Sequence, residues 1–222
     1  MSLALPLAQT RLAVDWAWIE RNAGYIQDQF REHVLLTVLP VTFGFIIAAV
    51  LGFFAVRWPG LYTPLLTLTG ILFTIPSLAL FVLLIAFTGL SIWTAVIPLT
   101  VYTLLILLRN VVEGFRGVPR DVRDAATAMG YSGAKRILTV DLPLALPVLF
   151  AGIRIATVTT IGLVSVSSLV GQGGLGQLFL DGFYRSFPTP LYVGLALSVV
   201  FAVTADLLLL WLQRALTPWT RR

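Results

Sequence analysis

From Leu61 to Leu108 the chain runs for 48 residues without one charged side chain. Such a run has few homes. About 20 apolar residues in a helix cross the ~30 Å hydrocarbon layer of a bilayer, and a stretch this long and this poor in charge fits no solvated surface. It is also too long for one crossing. Gly89, Leu90 and Ser91 form the natural break, which predicts a long helix over 61–87, interrupted near Pro76, and a second over 92–108. Three thinner spans are the alternative. The same reading finds 23 uncharged residues at 34–56, a stretch at 142–170 that carries only Arg154, and one at 191–212 that carries only Asp206. Five spans follow. Composition agrees: 58% of residues are hydrophobic and 11% charged, against roughly half and roughly a quarter in soluble domains. A soluble enzyme and a disordered chain are excluded, and the fold class is all-α, a polytopic membrane protein. With no cysteine and one histidine, neither a disulfide framework nor a metal centre is expected.

Lysine and arginine set the orientation. With the charged 109–141 loop in the cytoplasm, Arg57, Arg109, Arg116, Arg120, Arg123, Lys135, Arg136, Arg214, Arg221 and Arg222 lie inside. Arg11, Arg21, Arg31 and Arg185 lie outside. The N-terminus is then external and the C-terminus internal. The positive net charge reports topology here, so no nucleic-acid partner is expected. Residues 1–33 form a separate N-terminal segment ahead of a spanning unit at 34–222. The apolar run from Leu3 to Ala8 is too short for a signal peptide. Leu12, Trp16, Ile19, Ala23, Ile26 and Phe30 recur at helical spacing and predict an amphipathic helix over 11–32, lying in the interface or against the protein's own outer loops. Trp16, Trp58, Trp93, Trp211 and Trp219 fall near the predicted interfaces as an aromatic belt, and His33 marks the start of the first span in a structural role.

The 109–141 loop is too ordered for a connector. Pro119 and Asp121 suit a helix start, 122–129 is rich in alanine, and Gly130 is a good residue for the turn that ends a helix. Ser132 can cap a second short helix over 133–140, and Pro143 then falls early in the next span. Asp124-Ala125-Ala126, three residues, Gly130, nine residues, Val140-Asp141-Leu142-Pro143 resembles the EAA loop of bacterial ABC importer permeases. Asp124 stands for the usual Glu and Val140 for the usual Ile. Thr74–Ala79, Asp141–Pro147, Ala151–Arg154 and Gly171–Gly176 are similar to the subfamily that imports glycine betaine, carnitine or choline. Methionine-uptake permeases share the size, the loop and the glycine cluster, so methionine or another amino acid is the alternative substrate.

The resemblance implies a five-helix permease core in the bacterial inner membrane, with Asp124, Ala125, Ala126, Gly130, Leu142 and Pro143 forming the contact with the ATPase. It implies two ATP-binding subunits, whose closure the loop passes to the spans. It also implies a second permease copy or a paralogue, since five helices hardly enclose a path, and a separate extracytoplasmic substrate-binding protein, because no binding domain is fused to the chain. The surrounding bilayer is the remaining partner. Arg116, Arg120, Arg123, Lys135 and Arg136 pair with acids on the ATPase, or serve only as the topology signal.

Other signals weigh less. Gly171, Gly173 and Gly176 match a dinucleotide fingerprint, but after a membrane helix rather than a strand, so they are read as a tight external re-entry. There is no Walker A motif. The chain is therefore not expected to be an enzyme, and no cofactor or metal is expected. Arg154 and Asp206 are ionisable residues deep in spans and at similar depth, and are candidates for an ion pair joining the last two helices; separate snorkelling is the alternative. Thr157, Thr160 and Ser168 share one face and are candidates for a translocation path, although hydroxyls in membrane helices also bond their own backbone. A secondary transporter would want internal repeats, and a membrane enzyme clustered acids or histidines. Neither pattern is present.

Overall fold

The computed structural model describes residues 14–220, and no strand occurs among them. A short helix, α1 (Trp16–Arg21), is capped by the Asp15 carboxylate, which accepts from the Trp18 backbone N–H at 2.9 Å. Asn22 leaves helical geometry (φ −108°, ψ 15°), and α2 (Ala23–Arg57) starts directly after it. The amphipathic helix expected over 11–32 is thus divided at Asn22, and its second half is already the first turns of the first span; residues 11–13 lie outside the described residues. At 35 residues α2 is about 52 Å long, well beyond the hydrocarbon thickness.

The chain then forms α3 (Tyr62–Thr74) and α4 (Ser77–Thr88), which meet at a bend of 92°. The interruption falls at Ile75–Pro76, as expected, but is far sharper than a kink. A residue before proline is pushed out of the helical region, and Ile75 is extended (φ −64°, ψ 128°). Its freed carbonyl accepts from the Tyr102 hydroxyl at 2.5 Å, so the break is held by the next helix, α5 (Trp93–Arg116). Gly89, at φ +63°, ends α4 where the sequence places the break.

Beyond α5 come α6 (Arg120–Ala128) and α7 (Gly133–Arg136). A π turn, Ile137–Asp141, joins α7 to α8 (Leu142–Ser167), and a 3₁₀ turn extends the run to Val170. The second loop helix therefore does not stop at Val140, as expected, but continues for 38 residues from Gly133 to Val170. Pro143 explains the π turn. It brings no N–H, and the ladder widens just before it, with Leu142 N–H reaching back five residues to Ile137 O. The last helices are α9 (Gly176–Tyr184) and α10 (Pro188–Leu216). Among the described residues α2, α5, the 133–170 run and α10 are long and apolar enough to cross a membrane, and the bent pair α3–α4 is the fifth candidate.

Helices in lipid gain little from hiding apolar surface from each other, so close backbone approach and dispersion carry the packing. Gly44, Ala48, Gly52 and Ala55 make a buried stripe of small residues on α2. A Cβ on Gly44 would lie 1.8 Å from Thr103 Oγ1, and one on Gly52 would lie 2.4 Å from a Val111 methyl. Gly152 of α8 meets Asn110 of α5 in the same way, at 2.5 Å. Three helices, α2, α5 and α8, thus form the core. Leu36, Phe81, Leu99 and Val164 fill one half of it, and Leu107, Leu108, Val112 and Ala156 the other. Trp16, Trp58, Trp93, Trp211 and Trp219 are all exposed.

Candidate functional site

Gly130 ends α6 by a double hydrogen bond. Its N–H reaches Thr127 O at 3.0 Å, and the next N–H, of Tyr131, reaches back to Ala126 O at 3.1 Å. This Schellman closure needs a left-handed residue, and Gly130 has φ +79°. A Cβ there would touch nothing within 4 Å, so the demand for glycine is conformational, not steric. Asp124 and Ala125 are exposed on α6, and Ala126 is buried beneath them. Met129 and Leu138 are 68% and 65% exposed, so the loop offers an acid and two bare apolar side chains to a partner. Leu142 and Pro143 are half-buried where the loop enters α8.

Asp141 is the loop's anchor. Its side chain is 5% exposed, and it faces Arg123 Nε at 3.3 Å and Arg136 Nε at 3.5 Å. Arg123 also donates to the Phe115 carbonyl. One carboxylate at the head of the 142–167 helix thus holds both loop helices and the end of α5. Arg123 and Arg136 each pair with Asp141 within the chain while keeping 25% and 31% of their side chains exposed. Arg116 lies over the Tyr62 ring at 4.5 Å and Lys135 over the Tyr131 ring at 4.3 Å, leaving Arg120 as the exposed cation of α6. In the sequence Asp141 belongs to the 141–147 resemblance but carries no role of its own. The available signal was an acid adjoining a long apolar stretch, which must find a cation once buried.

Halfway along the spans, Arg154 of α8 and Asp206 of α10 meet fork to fork. Nε donates to Oδ1 at 2.8 Å and Nη2 to Oδ2 at 2.7 Å. The side chains are 26% and 32% exposed and line an open groove of about 610 Å³ whose walls are otherwise mostly apolar, among them Ile155, Val158 and Val203. Thr157, Thr160 and Ser168 are buried, and each hydroxyl donates to a carbonyl of its own helical run, Ile153, Ala156 and Ser165. They do not join the ion pair around one cavity.

At the other end of the fold, the 171–176 loop packs on the start of α2. Gly171 and Gly174 are left-handed, at φ +77° and +76°. Gly173 N–H donates to Glu32 Oε1 at 3.1 Å, and Leu175 N–H donates to His33 Nδ1 at 3.1 Å. His33 Nε2 stands 3.1 Å from Ile161 O. With both ring nitrogens occupied, the neutral tautomer carrying its proton on Nε2 fits this site, and His33 is a cross-brace rather than a ligand. Asp181 of α9 accepts from Tyr25 at 2.8 Å. Glu32, Tyr25 and Asp181 were not singled out in the sequence, because nothing local connects them.

The family model for binding-protein-dependent transport system inner membrane components matches residues 41–222. The chain is 37% identical over 202 residues to the osmoprotectant import permease protein OsmW of Salmonella typhimurium, covering 89% of this chain and 94% of that protein. It is 34% identical over 202 residues to the glycine betaine/carnitine/choline transport system permease protein OpuCD of Bacillus subtilis, covering 90% and 88%. A chain of the inward-facing MetNI methionine ABC transporter superposes with a TM-score of 0.77 at 28% identity, covering 86% of this chain and 96% of that one. An amino acid ABC transporter with histidines shares the fold, with a TM-score of 0.72 at 16% identity, covering 92% and 100%.

Proposed function

The chain belongs to the family of binding-protein-dependent transport system inner membrane components, and from that premise we propose that it is the spanning subunit of an ATP-driven importer for a quaternary-ammonium osmoprotectant such as glycine betaine, choline or carnitine. The observation that carries the reading is the loop. Two short helices locked by Gly130 and by the Asp141 clamp lead without a hinge into a spanning helix, so a push on α6 and α7 reaches the middle of the fold. The substrate class rests on the permeases of Salmonella and Bacillus, which are more similar in sequence than the methionine transporter chain. With no Walker A motif in the chain, hydrolysis falls to two separate ATP-binding subunits, and substrate capture to an external binding protein.

The 34–222 unit places its 109–141 loop in the cytoplasm and works as a pair, with a second copy or a paralogue. The Arg154–Asp206 pair supports this. An ion pair left about 30% open to lipid would be costly, so the α8–α10 groove faces either the partner permease or a water-filled path between the two.

The test is reconstitution in proteoliposomes with the cognate ATPase and binding protein. ATP-dependent uptake of labelled glycine betaine, choline or carnitine, and its loss without the ATPase, is the expected result. Uptake of methionine alone would refute the substrate class, and uptake without ATPase would refute the coupling.

A further inference from the structure

Beside the Asp141 clamp lies a cavity of about 500 Å³ that the transport reading leaves unused. One wall is a stripe of α2 at helical spacing, Phe45, Ala49 and Phe53, running down to Arg57. Phe53 is 52% exposed, so the stripe opens sideways out of the fold. The floor is apolar, from Val111 of α5 and Leu149 of α8. At the loop end the lining changes character: Arg57, Arg123 and Arg136 stand around the single carboxylate of Asp141. That carboxylate is already shared by Arg123 and Arg136. Arg57 has no ion-pair or hydrogen-bond partner among the described residues. A second hollow of about 570 Å³ adjoins the first through Val56 and Arg123 and adds Arg116 and Arg120.

We propose that this cavity is a binding site for an anionic phospholipid of the leaflet next to the 109–141 loop. The occupant must be apolar for about 18 Å, the rise from Phe45 to Arg57, and anionic at one end. A membrane lipid has that shape and is already present on the open side of the groove. A soluble phosphate would satisfy the arginines and leave the aromatic wall bare. Three cations against one carboxylate leave an excess of positive charge, which a neutral headgroup does not meet. The bound phosphate joins Arg57 to the arginines of the clamp and so ties the loop to α2. The inference needs the loop end to lie at a membrane face but not which face, and its test is independent of transport.

The full chain is purified in detergent, stripped of lipid, and titrated with dioleoylphosphatidylglycerol, with dioleoylphosphatidylcholine, or with glycerol 1-phosphate. Bound lipid is counted by native mass spectrometry, and thermal unfolding is followed in parallel. Phosphatidylglycerol should be retained at least tenfold better than phosphatidylcholine and should raise the unfolding temperature, while glycerol 1-phosphate should do neither. Arg57→Gln should cut that preference about tenfold, and Arg57→Lys should keep most of it. Ala49→Phe, which fills the groove without touching a charge, should lower retention of phosphatidylglycerol. Equal retention of the two lipids overturns the proposal. So does full retention in both Arg57→Gln and Ala49→Phe, or an equal response to glycerol 1-phosphate.

Discussion

Replacing Asp141 by asparagine keeps the side chain's shape and removes the charge that two guanidinium groups face. At 3.3 and 3.5 Å, each pair has a gross Coulomb energy of about 5 kcal/mol at an effective dielectric of ~20. Much of that is returned by the relief of the carboxylate's own burial. The arginines, at 25% and 31% exposure, also turn partly toward water. The net loss is about 3 kcal/mol, the low end for breaking a buried pair by removing one partner. It falls on the loop rather than on the α2–α5–α8 core, because the clamp is what fastens α6 and α7. Three kcal/mol is a factor of about 100 in the population of locally opened loop. Hydrogen exchange read by mass spectrometry should therefore show amides of 120–136 exchanging about a hundredfold faster in Asp141→Asn, with 99–112 unchanged. ATP-dependent uptake should fall with them. Loop exchange within threefold of the unaltered protein would refute the clamp, and equal acceleration everywhere would show that Asp141 supports the whole fold instead.

Gly130→Val should express and insert normally yet lose coupled uptake, since a left-handed backbone costs a residue with a Cβ about 1–2 kcal/mol and a β-branched one more; Gly130→Asn should retain most of it. In a double-mutant cycle on folded yield, Arg154→Leu and Asp206→Leu should each cost more than the double variant, because each single change strands a charge; strict additivity would mean the two act separately. Gly173→Ala places a methyl 2.2 Å from Glu32 Oε2 and should lower the unfolding temperature, and adding Glu32→Ala should recover most of the loss.

The spans were legible because long runs nearly free of charge stand out in the sequence, and that signal needs no partner. The loop was legible for a related reason: Pro119, Gly130 and Ser132 act on their own backbone within a few residues. Local reasoning failed where two distant positions share a task. Pro76 announces a break but not a 92° bend, whose geometry depends on Tyr102 reaching Ile75 O. Pro143 suggests a helix start, yet the π turn lets the helix pass through. Arg123 and Arg136 look like free cations until Asp141, 18 and 5 residues further on, is folded between them. Arg154 and Asp206 were the exception, because two isolated charges at matched depth leave few other partners.

The contact between Glu32 and Gly173 also sets a timetable for biosynthesis. The two residues are 141 positions apart. At about 5 to 20 residues per second, the ribosome delivers the second roughly 7 to 28 s after the first. Throughout that interval the acid at the head of the first span and the imidazole beside it have no glycine loop to close on. Until the 171–176 loop arrives, the Glu32 carboxylate and the His33 imidazole lack the Gly173 and Leu175 N–H donors that they hold in the folded chain.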